Sequence, residues 1–175
     1  MIKRIRIAGF GGQGVMLLGE ILAYAATLKD LNSIFVPTYG PETRGGTANC
    51  MVTISDRPIY SPIFTACDDL IALNEPSFIK FSQAVKPDGY ILYNASLIKS
   101  VPASKAQLKG IPANELAMEL GELKTMNIIV LGTYLKHLGL FDHDTIITAL
   151  RHFFGPKKEQ LIPMNQKALQ IGDKQ

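Results

Sequence analysis

The apolar positions of the chain change period several times, and each change marks an element. Residues 4–9 carry Ile5, Ile7 and Ala8 in a short β-branched run, the pattern of a strand. Over 13–29, QGVMLLGEILAYAATLK, the apolar residues Leu18, Ile21, Leu22, Ala25 and Leu28 follow the 3.6-residue helical period. Glu20 is the sole charge before Lys29, so this helix is expected to be buried on most sides. Gly19 in its middle costs up to about 1 kcal/mol against Ala, a loss that close packing on a strand would offset. SIFVPTY (33–39) reads as a second strand, and Pro37 places it at a sheet edge or a strand end. A loop, GPETRGGTAN, follows. CMVTIS (50–55) alternates, SDRP (55–58) is turn chemistry and IYSPIF returns, so 50–64 reads as a hairpin-like insertion.

Strand and helix then alternate. DLIALN (69–74) and YILYN (90–94) read as strands around a proline-opened helix at 76–85 and a KPDG turn. PANELAMELG (112–121) is a helix ended by Gly121. The remainder reads as three further helical stretches, with Asp142 as an N-cap and Gly155-Pro156 as a stop. Strand–helix–strand alternation predicts an α/β fold, with a Rossmann-like open, mainly parallel sheet, helices on both faces and the hairpin-like insertion. The 175 residues (1–175) suit one domain, long enough to bury roughly 70% of the unfolded chain's surface.

Composition narrows the function. Apolar residues make up 47% and charged residues 19%, which is a globular chain. The net charge of +3 is small and dispersed, and gives no nucleic-acid footprint. No secretory signal is read in MIKRIRIAGFGGQG, whose apolar stretch is cut by glycines, and no apolar run reaches the ~18 residues of a membrane span. A cytoplasmic location is expected. Cys50 and Cys67 are too few and too separated for a disulfide framework or an iron–sulfur site, and read as small, partly buried side chains in a reducing compartment.

The stretch GFGGQG places Gly9, Gly11 and Gly14 in a Gly-x-Gly-x-x-Gly spacing. A dinucleotide site also needs an acid at the end of the second strand, to take the ribose hydroxyls. That strand ends at Thr38-Tyr39, and Asp30 precedes it, at the opposite sheet edge. No Lys-Ser/Thr follows the glycines, so a P-loop is excluded as well. Two readings remain. The turn exposes backbone N–H groups at a helix N-terminus, which attracts anions and to which Gln13 adds an amide. Alternatively, the glycines only let the first helix pack closely on the sheet. The second loop, YGPETRGG (39–46), follows another strand and is expected at the same carboxyl edge. Arg44 there can grip a carboxylate or phosphate with its planar fork, or pair with Glu42 on the surface. His137, His143 and His152 fit no short metal motif, and Asp68-Asp69 has no His or Ser nearby in sequence for a triad. The residues suggest no self-sufficient active site.

GFGGQGVMLLGEILA, YGPETRGGTANC and SDRPIYSP together resemble the gamma subunit of 2-oxoacid:ferredoxin oxidoreductases. The resemblance rests on motifs over residues 4–64 and on element order beyond. It implies a subunit without catalytic residues or metal ligands of its own. The enzyme it implies decarboxylates a 2-oxoacid on thiamine diphosphate and passes electrons through iron–sulfur clusters to ferredoxin. The product is an acyl-CoA. In split forms sister subunits hold the diphosphate and the clusters: alpha, beta and a ferredoxin-type delta chain. The gamma part packs on the catalytic subunits and helps form the coenzyme A side, which makes Gly11, Gly12, Gln13, Gly14, Thr43, Arg44, Gly45 and Gly46 the candidate cofactor-binding residues. GGTAN after Arg44 is closer to the 2-oxoglutarate and branched-chain members than to the pyruvate members. Alternatives are an indolepyruvate oxidoreductase subunit, a non-catalytic scaffold and a stand-alone NAD-dependent oxidoreductase. The first helix and the C-terminal helices carry more apolar face than one small sheet covers, so the isolated chain is expected to self-associate, as a dimer.

Overall fold

The alternation of Ile5 and Ile7 with arginines builds a first strand, β1 (Ile2–Phe10), and the glycine turn feeds α1 (Val15–Leu28). The computed structural model describes residues 1–39 and 47–175. The chain continues through β2 (Asn32–Tyr39), β3 (Thr47–Ser55), β4 (Cys67–Ala72), α2 (Glu75–Phe81), β5 (Val85–Asn94), β6 (Gln107–Ile111), α3 (Ala113–Leu120), α4 (Met126–Leu138), α5 (His143–Phe154) and α6 (Ile162–Asp173). Asn74 caps α2 by accepting from Ser77 N at 2.9 Å, and Asp142 caps α5 by accepting from Thr145 N at 2.8 Å. Left-handed Gly121 and Gly139 end α3 and α4, and Gly155 ends α5.

The six strands form one mixed sheet in the order β2-β3-β1-β4-β5-β6. β1, β4, β5 and β6 are parallel, whereas β3 runs antiparallel between β1 and β2. The hairpin is therefore 32–55, joined through 40–46, and not 50–64. Residues 56–66 form no strand; they run irregularly to β4 and tuck Phe64 against Met51 and Cys67. The ladders explain why: β3 pairs along its length with β1 on one side and β2 on the other, which leaves the return segment no free edge on β3. Pro37 sits in the edge strand β2, where its missing N–H breaks no second ladder. The predicted KPDG turn becomes an irregularity inside β5: Val85 pairs with Cys67, and pairing resumes at Tyr90–Asp69. β6 was not expected from the sequence.

The two faces are covered unequally. Ile5, Ile7, Val52, Ile54, Ile71 and Leu92 face the larger core, closed by α1, α3, α4, α5 and α6. Ala8, Leu70, Ala72 and Ile91 face a smaller one under α2, whose Phe78 and Phe81 fill it. α1 has no exposed residue before Thr27. A Cβ on Gly19 would lie 2.6 Å from Cys50 Sγ and 2.7 Å from Phe35 Cε2, so this glycine does permit the close helix–strand approach. The C-terminal helices bury their apolar faces on one another, on α1 and on α3. The expected surplus of apolar helix face is thus used within the chain. The large apolar side chains left exposed are scattered, among them Tyr60 and Ile63 on the 56–66 segment, Ile79 on α2, and Met118, Leu123 and Leu161 around the α3–α4 and α5–α6 connections.

Candidate functional site

The carboxyl ends of β1 and β2 lie at one edge of the sheet, because both are antiparallel to β3. Gly9 and Tyr39 each pair with Ala48, which puts the start of the glycine turn and the start of segment 40–46 in one row, flanking β3. Thr43, Arg44, Gly45 and Gly46, together with Glu42, lie outside the described residues. Asp30 sits between α1 and β2 at the opposite edge, and β2 itself ends at Tyr39 without a carboxylate, so among the described residues no acid stands where a dinucleotide site holds its ribose.

The glycine turn is held rigidly. Gln13 N donates to Phe10 O at 3.2 Å, and Phe10 N donates to Gln13 Oε1 at 2.6 Å. Gln13 Nε2 donates to Leu73 O at 3.3 Å, and Asn74 Nδ2 donates to Gln13 Oε1 at 3.4 Å. The Gln13 carboxamide is thus engaged within the chain, bolting the β1–α1 turn to the β4–α2 turn. These turns diverge to opposite faces of the sheet, the switch point at which open α/β sheets bind ligands. Gly12 (φ 91°) and Gly14 (φ 78°) adopt left-handed backbone. Gly14 is the N-cap of α1, with no side chain capping the helix and no acid in its first turn.

Beside this turn opens a cleft of about 660 Å³, lined by Gly12, Gln13, Gly14, Leu17, Lys124 and Asn127 among others. A second hollow of about 350 Å³, lined by Ile128, Phe154, Leu161 and Met164 together with polar Thr125, Gln160 and Asn165, shares Leu17, Glu122, Lys124 and Asn127 with it. The cleft brings Gly12, Gln13 and Gly14 together with residues that sequence reasoning missed: Asn114 at the start of α3, Lys124 before α4 and Asn127 in the first turn of α4. Asn127 could have been suspected, as a lone amide opening the apolar run NIIVL. Glu122 also lines the cleft, but its Oε1 accepts from Lys124 N at 3.1 Å and caps the short 3-10 turn there.

Other polar groups are structural. Asp69, fully buried, accepts from Tyr134 Oη at 2.6 Å and Lys3 Nζ at 3.0 Å, and His137 Nε2 lies 3.5 Å from it. His137 stacks on Tyr90 at 3.6 Å, so the fold gives Asp69 the histidine that its sequence neighbours lack. This cluster lies in the amino-terminal half of β4, away from the glycine turn. Arg6 Nη1 donates to Asn49 Oδ1 at 3.0 Å, and its guanidinium lies over the Phe64 and Phe81 rings; desolvation lowers its pKa. Burial pushes the Cys50 thiol up to about 12 and that of Cys67 to about 11. Two cysteines cannot supply the four thiolates of a cysteine-held iron–sulfur cluster, and no group of three metal-binding side chains gathers among the described residues.

Comparison with known proteins gives this site its family. Residues 4–174 match the model of the family described as pyruvate ferredoxin/flavodoxin oxidoreductase. The chain is 39% identical over 171 residues to the ketoisovalerate oxidoreductase subunit VorA of Methanothermobacter thermautotrophicus; the match takes in 97% of this chain but 35% of that one, so the chain spans about a third of that relative's length. Among solved structures it superposes on the gamma subunit of a keto/oxoacid ferredoxin oxidoreductase from Geobacter sulfurreducens, with TM-score 0.84, 30% identity, and coverage of 98% of this chain and 96% of that one. It also superposes on a 2-oxoglutarate:ferredoxin oxidoreductase of Magnetococcus marinus, solved with 2-oxoglutarate, coenzyme A and succinyl-CoA bound, with TM-score 0.88, 26% identity, and coverage of 99% of this chain and 30% of that one. A sheet of this order, a glycine turn bolted at its switch point and a match over nearly every residue have one reading: the chain belongs to the pyruvate ferredoxin/flavodoxin oxidoreductase family.

Proposed function

We propose that the chain is the gamma-type subunit of a multi-subunit 2-oxoacid:ferredoxin oxidoreductase, which oxidatively decarboxylates a 2-oxoacid to an acyl-CoA. The observation that carries this reading is one of size: the same domain, nearly whole, recurs both as a separate gamma subunit and as about a third of a longer oxidoreductase chain. Such a domain acts by being held against others. In this reading alpha, beta and ferredoxin-type delta chains hold the thiamine diphosphate and the clusters, ferredoxin takes the electrons, and the enzyme works in the cytoplasm. No helix among the described residues is long and apolar enough to cross a membrane. The substrate is 2-oxoglutarate or a branched-chain 2-oxoacid, in keeping with the relatives' names and with GGTAN after Arg44.

The chain's own contribution is the coenzyme A side. The uncapped start of α1 fits an anion, and β2, which leads into Thr43, Arg44, Gly45 and Gly46, ends at the same sheet edge as β1, which supports a shared role for the two segments. Coenzyme A supplies the thiol that accepts the acyl group; this chain's residues bind and orient its anionic part. Arg44 adds a charged hydrogen bond worth roughly 1.5–3 kcal/mol. In the assembled enzyme Arg44→Ala should therefore raise the KM for coenzyme A about tenfold or more, with the 2-oxoacid KM little moved. Arg44→Lys should recover part of the loss, since Lys lacks the planar fork. Unchanged coenzyme A kinetics together with failure of the subunits to co-purify would make Arg44 an interface residue. Away from its partners the chain self-associates as a dimer through its exposed apolar side chains; a strict monomer at high concentration counts against that.

A further inference from the structure

β2 is an outer edge of the sheet and is left unguarded. Among the described residues it pairs only with β3, so the outward row of its backbone N–H and C=O groups has no ladder partner. Such an edge is open to another strand, and chains usually blunt it with charge, brevity or a bulge. β2 has none of these: it runs eight residues, NSIFVPTY, without a charged side chain, and its register on β3 is uninterrupted. Pro37 guards only the carboxyl half, which leaves the stretch 32–36 open. The opposite edge, β6, is five residues long and carries Lys109. Beside the open stretch of β2, on the α1 side, lies a hollow of about 300 Å³ walled by Ser33 and Phe35 of β2, Glu20 and Tyr24 of α1, and Phe153 of α5. The Tyr24 and Phe153 ring centres are 5.7 Å apart with their planes at 75°, and His152 stacks on Tyr24 at 4.1 Å. Glu20 precedes Tyr24 by one helical turn. It is the one charged residue lining the hollow, and it makes no hydrogen bond or ion pair with any described residue. Ser33 Oγ, by contrast, already donates to Ala23 O at 2.8 Å.

We infer that the outer edge of β2 docks an extended segment of another protein, which joins the sheet as a seventh strand and places a lysine ammonium in the hollow against Glu20, Tyr24 and Phe153. Main-chain bonds along a free edge give such a segment its affinity, and a pocket for an alternate side chain gives it specificity. Side chains of a strand alternate between the two faces, so every second residue of the added strand stands on the α1 side, where the hollow lies. Aromatic faces and an unpaired carboxylate are what an alkylammonium group seeks: the rings attract the cation, and the carboxylate accepts its hydrogen bond. A second copy of β2 does not meet this demand, because Asn32–Tyr39 carries no cation, and Lys29 just before it is held by Asp142 at 2.9 Å. The inference uses neither the glycine turn nor the subunit assignment, and it stands or falls apart from both.

The test is titration of the full-length chain, followed by backbone amide NMR, with two synthetic peptides of alternating threonine and valine. One carries a lysine at its centre, in register with the valines; the other carries norleucine there, of the same length but uncharged. The lysine peptide should shift the amides of Ser33, Ile34, Phe35 and Val36 and bind about tenfold more tightly than the norleucine peptide. Glu20→Gln keeps the side chain's shape and removes its charge; it should weaken the lysine peptide about tenfold and leave the norleucine peptide unmoved. Phe153→Leu keeps apolar bulk without a ring and should weaken the lysine peptide about threefold. No shift of the β2 amides at ~5 mM peptide overturns the inference, as do equal affinities for the two peptides or binding indifferent to both substitutions. Concentration-dependent shifts of the same amides that the lysine peptide does not displace overturn it as well, since the occupant of the edge is then a second copy of the chain.

Discussion

The phenol of Tyr134 donates to the carboxylate of Asp69 at 2.6 Å, and neither residue is reached by solvent. The bond ties the centre of α4 to β4, from residues 65 apart in sequence. Tyr134→Phe should cost about 1–3 kcal/mol, because Asp69 stays buried with one donor fewer. For a chain of this size that is a fall in Tm of a few degrees per kcal/mol, readable by calorimetry. Burial, then the Asp69 charge, raises the Tyr134 phenol well above its ordinary value, and burial raises Tyr90 to about 12. The folded state thus holds these protons more tightly than the unfolded state. Their stabilisation is full below about pH 10, the unfolded value, and is lost as pH rises beyond it. Tm should fall more steeply between about pH 10 and 12 in the wild type than in Tyr134→Phe. Parallel curves would refute the linkage.

Gly12 and Gly14 share left-handed backbone but differ in their surroundings. Nothing lies within 4 Å of a Cβ on Gly12, whereas one on Gly14 strikes Asn127. Gly12→Ala should cost only backbone strain, about 1–2 kcal/mol, and Gly14→Ala distinctly more. Adding Asn127→Ala should relieve the excess at position 14 and leave Gly12→Ala unaffected. A denaturant double-mutant cycle measures this coupling, and additive values would argue against the contact.

α4 and α6 meet backbone to backbone. A Cβ on Gly132 would collide with Leu169 O, and one on Gly172 with Ile129 O; Thr133 Oγ1 donates to Gly172 O at 2.8 Å between them. Either Gly→Ala substitution should destabilise by about 1–3 kcal/mol through overpacking, although Ala is the better helix former. Stability equal to or above wild type would show that the helices can separate freely.

The two thiols should be inert in the native protein. With Cys50 at about 12 and Cys67 at about 11, thiolate is scarce at pH 8, and both sulfurs are buried. A disulfide exchange reagent should label neither at pH 8 without denaturant and both with it. Rapid native labelling of either would contradict their placement.

Much of this was written in the chain. The helical period of 13–29 gives α1 almost to the residue, Asp142 and Gly155 mark the ends of α5, and Pro37 marks an edge strand. What escaped is pairing. CMVTIS reads correctly as a strand, but nothing local says that β3 pairs with both β1 and β2; the glycine-rich segment before it looks like a ligand loop, whichever strands it joins. β6 is short, with Leu108 and Ile111 as its only large apolar side chains, too few to establish a period. At the site, the glycines announce themselves by spacing. Asn127 and Lys124 do not, because they reach the turn only through the packing of α4, more than a hundred residues later. The bolting role of Gln13 is not legible in the sequence, since Leu73 and Asn74 become its neighbours only when β4 folds alongside β1.

The antiparallel ladder between β2 and β3 pairs Asn32 with Ser55 at one end and Tyr39 with Ala48 at the other, without interruption. Beyond that last pair, residues can be added or exchanged with no change of register, and lengthening such a connection costs only about 0.6 kcal/mol per doubling. The turn at Gly9–Gly14 has no such latitude, because each of its bonds depends on a fixed residue count. The edge therefore joins a frozen half to an interchangeable one. A lineage could trade the segment between Tyr39 and Thr47 without disturbing the pairing of β2 on β3, while the rest of the scaffold is inherited unaltered.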